Sequence, residues 1–412
     1  MSLRTVEEHL TEILAAARPL DPVDVPLAAA AGHTLAAPVL ARVDIPVFDN
    51  SAMDGFAVRF ADVEAASADA PVALRVVADL PAGTELDPAL AEGETARIMT
   101  GSPLPTAADT VVPFEDTVGG LEDSLHEAVV VVAPRALGAH VRRRGGDAHA
   151  GDEIVPAGTL LGPLQLAAAA AAGVPRVTVA RRPRVVVLST GTELAEPGTA
   201  LRRGQIPESN SVLLSELARE AGADVVHVGS VGDDEADFRA VLSSAVGAAD
   251  VVVTSGGVSA GAYEVVKNAL GSDAAISFVK VAMQPGKPQG FGVLPGGALF
   301  FGLPGNPVSS AVSFETFVRP TLLALQGRTA IHRPLLRLPA SEGWSTPPGR
   351  RQYLPAAIDR TDPARWTVRP ATAGGSGSHL AGGLARAEAY AVVAAEFSRV
   401  EPGDPVDVML VS

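Results

Sequence analysis

Apolar residues recur at Val6, Leu10, Ile13, Leu14 and Ala17, one face of a helix, and Thr5 followed by Glu8 supplies the capping box that starts it. A second helix is predicted from Pro163, a favourable first-turn residue, through a run of alanines to Gly173. Between them, from about Val43 to Val141, short apolar runs such as Val129–Val132 alternate with Pro, Gly and Asp. That texture predicts an all-β module inserted between two helical pieces of one domain. After Ala180-Arg181-Arg182-Pro183 the pattern changes again. Val185–Leu188, Val225–Val228, Val251–Val253 and Leu299–Phe301 are short apolar runs of strand length, the second interrupted by His227. Helical patterns separate and follow them at Ser211–Ala221, Glu235–Val246, Tyr263–Leu270 and Val308–Leu325, the last with a kink expected at Pro320. Such alternation predicts a parallel sheet covered on both faces. Beyond Ile331 the chain returns to short strands with Gly/Pro turns, ending in Val406–Val411.

The chain therefore divides into four units: 1–42 with 142–180, 43–141, 183–328 and 331–412. A length of 412 residues agrees, being too great for one core. Hydrophobic residues make up 47% and charged residues 19%, a globular composition with too much apolar content for disorder. The formal charge of −15 repels nucleic acid and acidic membranes, so an anionic ligand needs a local, preorganised pocket. With no cysteine, disulfides, thiolate metal sites and thiol catalysis are excluded. The opening segment is charged and amphipathic, unlike a signal peptide, and Leu164–Val174 is too short to span a bilayer. The cytoplasm is the expected compartment.

Ligands of open parallel sheets bind beyond the carboxyl ends of the strands. Three strand ends here run into glycine turns: Ser189-Thr190-Gly191-Thr192-Glu193, Thr254-Ser255-Gly256-Gly257-Val258-Ser259 and Gly302-Leu303-Pro304-Gly305-Asn306-Pro307. Together they predict a pocket whose backbone N–H groups hold a phosphorylated ligand. Glu193, Asp233, Asp234 and Glu264 stand beside these turns, and carboxylates so placed suit Mg²⁺ bridging phosphates. Asp234 reads equally well as a helix N-cap and Asp233 as a turn residue. Lysine occurs only at positions 267, 280 and 287 in a chain that otherwise uses arginine. Lys287, in the stiff segment Gln284-Pro285-Gly286-Lys287-Pro288, is the candidate point charge for an oxyanion. The histidines have no ligand spacing, which argues against zinc.

These motifs resemble, over essentially the whole chain, the molybdopterin molybdenumtransferase family, known as MoeA and as the C-terminal part of gephyrin. The matching pieces are FDNSAMDGFAV at 48–58, RIMTGSPLP at 97–105, PRVVVLSTGTEL at 183–194, SNS at 209–211, TSGGVSAG at 254–261, PGKP at 285–288 and GLPGNPVS at 302–309. The resemblance implies a multi-domain α/β protein. Its parts would be a MogA-like molybdopterin-binding domain with a parallel sheet, an inserted β-rich domain, an elongated helical linker domain and a small barrel-like C-terminal β domain. It implies a homodimer whose cleft lies between the α/β domain of one subunit and the inserted module of the other. Family members insert molybdate into molybdopterin-AMP with release of AMP, a divalent metal being present. The molybdopterin adenylyltransferase and apo-molybdoenzymes would be partners.

Carried over by residue, Asp54 and Thr100 would contribute across the subunit boundary, and Asp147 matches a further acidic position. Glu193, Asp233 and Asp234 would serve metal and adenylate, with Glu264 a further metal ligand. Ser255, Gly256, Gly257, Ser259 and Lys287, with Pro304, Gly305 and Asn306, would hold the pterin phosphate and oxyanion region. Arg351 and Ser378 look like the molybdate-contacting pair. Two departures stand out. Gln284 replaces the first lysine of Lys-Pro-Gly-Lys-Pro, which removes a cation and bears on the choice between molybdate and tungstate. Glu264 stands where Asp is usual. Two rival readings are a pyrophosphate hydrolase built on the same α/β module and a non-catalytic scaffold related to gephyrin.

Overall fold

The computed structural model describes residues 3–122, 124–259, 264–273, 275–372 and 381–411. The first helix, Val6–Ala16, begins on the expected box: Glu8 N donates to Thr5 Oγ1 at 3.1 Å and Thr5 N donates to the Glu8 carboxylate at 2.8 Å. Val6 and Ile13 are buried on its inner face, and so is His9, a polar residue inside the apolar stripe. Thr5→Ala will remove one half of the box and lower stability by about 1 kcal/mol, readable as a shift in the denaturant midpoint.

The two sequence-distant pieces of the linker unit meet as a strand pair. Pro22–Pro26 lies antiparallel to Arg176–Ala180, and the helix Pro163–Ala171 packs with Leu35, Val39, Val155 and Leu161 in one cluster. The inserted module is a six-stranded sheet in the order Thr110–Pro113, Gly55–Val58, Glu94–Ile98, Val72–Leu80, Glu127–Val130, Thr117–Val118. Its pairs are antiparallel except Val72–Leu80 with Glu94–Ile98, and two short helical pieces, Phe60–Val63 and the 3-10 turn Phe114–Asp116, interrupt it.

The α/β unit carries a six-stranded sheet, in the order Asp224–Val231, Arg184–Thr190, Val251–Ser255, Leu299–Leu303, Pro288–Val293, Ile276–Lys280. The first four strands are parallel, as expected. The last two form an antiparallel hairpin, so the sheet is mixed. Pro288, Gly290 and Gly292 break the apolar run that would have marked the hairpin as a strand pair. Val185–Leu188 and Val251–Val253 are fully buried, covered on both faces. Val225–Val228 departs from the fully buried expectation: it lies in an edge strand, with Val226 and Val228 each 44% exposed.

The predicted helix Val308–Leu325 is three pieces: Pro307–Ser313, a π-helical turn Phe314–Val318, and Arg319–Leu325. Pro320 sits in the first turn of the last piece, where its missing N–H is tolerated, and the wider π turn absorbs the misfit just before it.

In the C-terminal unit, Arg351–Asp359, Ala389–Val393, Pro405–Leu410 and Leu335–Pro339 form a sheet, with Thr367–Pro370 beside the first of these strands. A bridge from Ala340 to Val368 curls its two sides toward each other. Met283–Gln284 of the α/β unit joins this sheet, parallel to Arg351–Gln352, and so stitches the lysine loop to the C-terminal unit.

Candidate active site

A cleft of about 1110 Å³ opens beyond the carboxyl ends of Arg184–Thr190, Val251–Ser255 and Leu299–Leu303, the sheet edge where the three glycine turns lie. Its opposite wall is the loop Met283 to Pro288, with Arg350 from the C-terminal unit.

Glycine is required where these loops crowd together. Gly256 has φ +92°, and a Cβ there would stand 2.7 Å from the Thr190 carbonyl oxygen. A Cβ on Gly305 would come within 3.4 Å of the Gly256 Cα. The second and third turns are therefore in near contact, which places their backbones side by side at the cleft. At the first turn the Glu193 carboxylate folds over Gly191, where a Cβ would collide with Oε2.

Side chains tie the turns to their neighbours. Asp233 Oδ2 accepts from Thr192 N at 3.2 Å and from Thr192 Oγ1 at 2.8 Å, joining the edge-strand loop to the first turn. Ser259 N donates to Glu264 Oε2 at 2.6 Å across the second turn. Asn210 Nδ2 donates to the Gly305 carbonyl at 2.7 Å. The lysine loop is held from behind by Gln289, whose Nε2 donates to the Gly286 carbonyl at 2.6 Å and to Ser313 Oγ at 2.7 Å.

Among the described residues the lining carries four carboxylates (Glu193, Glu208, Asp233 and Glu264) against two cations (Lys287 and Arg350). No three acidic or histidine side chains among the described residues gather closely enough to cage a metal.

Eleven sequence candidates border this one cleft: Glu193, Asp233, Glu264, Ser255, Gly256, Gly257, Ser259, Lys287, Pro304, Gly305 and Asn306. Others lie elsewhere. Asp234 is the N-cap of Glu235–Val246, accepting from Ala236 N at 2.9 Å and Asp237 N at 3.0 Å. Asp54 and Thr100 meet each other in the inserted module, away from the cleft lining. Asp54 Oδ1 accepts from Thr100 N at 2.6 Å and Thr100 Oγ1 at 2.7 Å, bonds that hold its carboxyl below the usual range. Asp147 is exposed, and Ser378 lies outside the described residues, as do Ala260 to Tyr263.

Arg351 points to the first helix, where it pairs with Glu7. Burial works against its charge, but contacts with Tyr353 and Glu7 more than offset this and raise its pKa. Its neighbour Arg350 is the arginine that borders the cleft. Sequence reasoning also missed Glu208, and it gave no role to Asn210 of the matched segment 209–211; both border the cleft within Pro207-Glu208-Ser209-Asn210-Ser211. The signal was present as polar residues entering a helix, but helix entries are polar for capping reasons alone.

Glycine turns converging at parallel strand ends, over a roomy and charged cleft, define an α/β protein with its candidate site where open parallel sheets place their ligands. Comparison with known proteins narrows the class. Residues 4–173 match the MoeA N-terminal region (domain I and II), 186–324 a probable molybdopterin binding domain, and 337–411 the MoeA C-terminal region (domain IV). Molybdopterin molybdenumtransferase 2 of Mycobacterium tuberculosis is 45% identical over 87% of this chain and 88% of its own. Molybdopterin molybdenumtransferase 1 of the same organism is 35% identical over 98% of each. Among solved structures, a molybdopterin biosynthesis MoeA protein from Pyrococcus horikoshii aligns with TM-score 0.82 and 31% identity over 99% of both chains. The chain belongs to the molybdopterin molybdenumtransferase family and is a transferase of molybdenum cofactor biosynthesis.

Proposed function

We propose that the cleft receives adenylylated molybdopterin together with molybdate, and that the chain inserts the metal at the dithiolene as AMP is released. The observation that carries this reading is the joining of three glycine turns, Lys287 and Arg350 around one cleft. Molybdate is a tetrahedral dianion and needs converging cationic donors, which Lys287 and Arg350 supply from two different units. Cleavage of a phosphoanhydride spreads charge over oxygens, so it calls for neutralisation and positioning more than for a nucleophilic side chain. Backbone N–H groups of the glycine turns supply the positioning.

The charge balance of the lining supports a divalent cation. Four carboxylates facing two cations repel a polyphosphate unless a metal screens them. Mg²⁺ keeps several waters and binds through one or two carboxylates plus substrate phosphates, not an all-protein cage. Glu193, Asp233 and Glu264, which border the cleft without clustering, fit that use. Bound there, Mg²⁺ would neutralise the anhydride oxygens while Glu193 and Asp233 hold it at the first turn.

Asp54 and Thr100 are preorganised by their mutual hydrogen bonds, yet do not border the cleft of their own chain. We infer that they complete the cleft of a second copy in a homodimer. Asp54→Ala and Glu193→Gln, each inactive alone, will then complement when co-expressed. Half the dimers are mixed and each mixed dimer has one intact site, so roughly a quarter of wild-type AMP release returns. No recovery in demonstrably mixed dimers would place both residues in one chain's site.

A further inference from the structure

Resting on that function, we propose that the floor of the cleft reads the hydrogen-bond-donor edge of the pterin ring, through acceptors whose polarity Glu208 sets. Glu208 is 8% exposed and borders the cleft. A carboxylate can only accept: it takes Ser189 Oγ–H at 2.8 Å, Ser211 N–H at 2.9 Å and the Ser211 hydroxyl. Ser189 has one proton and spends it on Glu208. Its oxygen must therefore accept from Ser255 Oγ, 3.2 Å away, which uses the only proton Ser255 has. Ser255 is thus left presenting lone pairs at a residue that borders the cleft.

Asn210 adds a second acceptor. It is 8% exposed, its Nδ2 is committed to the Gly305 carbonyl, and its buried Oδ1 has no partner among the described residues. An orphaned buried acceptor calls for a donor. Phosphate and molybdate oxygens bring further acceptors and cannot satisfy this floor. The N–H and amino groups of an aminopyrimidinone ring can, and they lie side by side on one edge. The anions belong instead toward Lys287 and the glycine N–H groups. Glu208 is then a positioning residue, acting through Ser189 on Ser255.

The adenine of the same substrate also carries an amino group, so the test separates the two rings. Consumption of molybdopterin-AMP is inhibited with a 6-substituted pterin and with the matching lumazine, in which a carbonyl replaces the 2-amino group. AMP and inosine monophosphate form the parallel pair for adenine. The expected result is roughly tenfold or stronger preference for pterin over lumazine. That ratio falls toward one in Ser255→Ala and in Glu208→Gln, whose amide can donate to Ser189 and reverse the chain. The AMP-to-inosine-monophosphate ratio stays as in wild type. Equal inhibition by pterin and lumazine, in a wild-type protein that consumes its substrate, overturns the donor-edge reading and leaves the function standing. Sensitivity of the adenine ratio alone to these variants overturns the pterin assignment. A wild-type protein that never consumes molybdopterin-AMP overturns both.

Discussion

Lys287→Ala will lower kcat/KM for molybdate in AMP release by about a hundredfold or more, the scale seen when one preorganised electrostatic donor is removed from an active site. The expectation follows from the lining, where among the described residues four carboxylates already outnumber two cations and the variant leaves Arg350 as the remaining one. It follows too from the loop's construction. Gln289 and Ser313 brace Gly286 from behind, and Met283–Gln284 is paired into the C-terminal sheet, so the loop survives loss of a side chain on its cleft side. The melting temperature will therefore stay near wild type while activity collapses. Lys287→Arg keeps the positive charge and will recover part of the activity, short of wild type because the bulkier, rigid guanidinium fork cannot take the position of a compact ammonium. Unchanged molybdate dependence in the alanine variant would remove Lys287 from the oxyanion site.

The second large effect is on stability in acid. His9 is buried, its ring packs edge-on against Phe317 with centroids 4.9 Å apart, and its Nδ1 has no partner among the described residues. Burial, with a smaller contribution from Arg4, lowers its pKa from 6.5 to about 4. The unfolded chain thus takes up a proton below about pH 6.5 that the native fold refuses down to about pH 4. Stability contributed by neutral His9 is complete above the unfolded value and is lost as pH falls through this window. Between pH 7.5 and 5 the loss is on the order of 2 kcal/mol. His9→Leu keeps the apolar packing and removes the titration. Its unfolding midpoint in urea will fall less than that of wild type over the same interval. Parallel acid dependence in the two proteins would show that His9 does not titrate on unfolding. The carboxylates with lowered pKa, such as Asp54 and Asp250, act in the same direction but at lower pH, so the two contributions separate.

Much of this architecture is legible in the chain because local signals and tertiary demands agree. The capping box at Thr5 and Glu8, the apolar central strands and the glycine turns at their ends all mean in the fold what they mean in isolation. The signals that mislead are those whose meaning depends on partners far along the chain. Val225–Val228 holds three valines like the central strands, but His227 interrupts it and it ends up at the sheet edge, a place that the valines alone do not encode. The hairpin of Ile276–Lys280 and Pro288–Val293 is hidden by proline and glycine, tolerated because close backbone approach needs small residues there. At the site, Asp233 and Asp234 are adjacent in sequence and opposite in role: one carboxylate joins two cleft loops, the other caps a helix. Arg350 and Arg351 divide in the same way: Arg350, in the bend before the strand Arg351–Asp359, borders the cleft, while Arg351, the first residue of the strand, pairs with Glu7. Glu208 and Asn210 acquire significance only when Ser189, Ser255 and Gly305 are brought beside them.

Release of AMP from molybdopterin-AMP by the purified protein with Mg²⁺, compared with and without molybdate, tests the central claim most directly. Release will depend on molybdate and yield a cofactor able to reconstitute an apo-molybdoenzyme. Tight binding of molybdopterin-AMP with no release under either condition would contradict it.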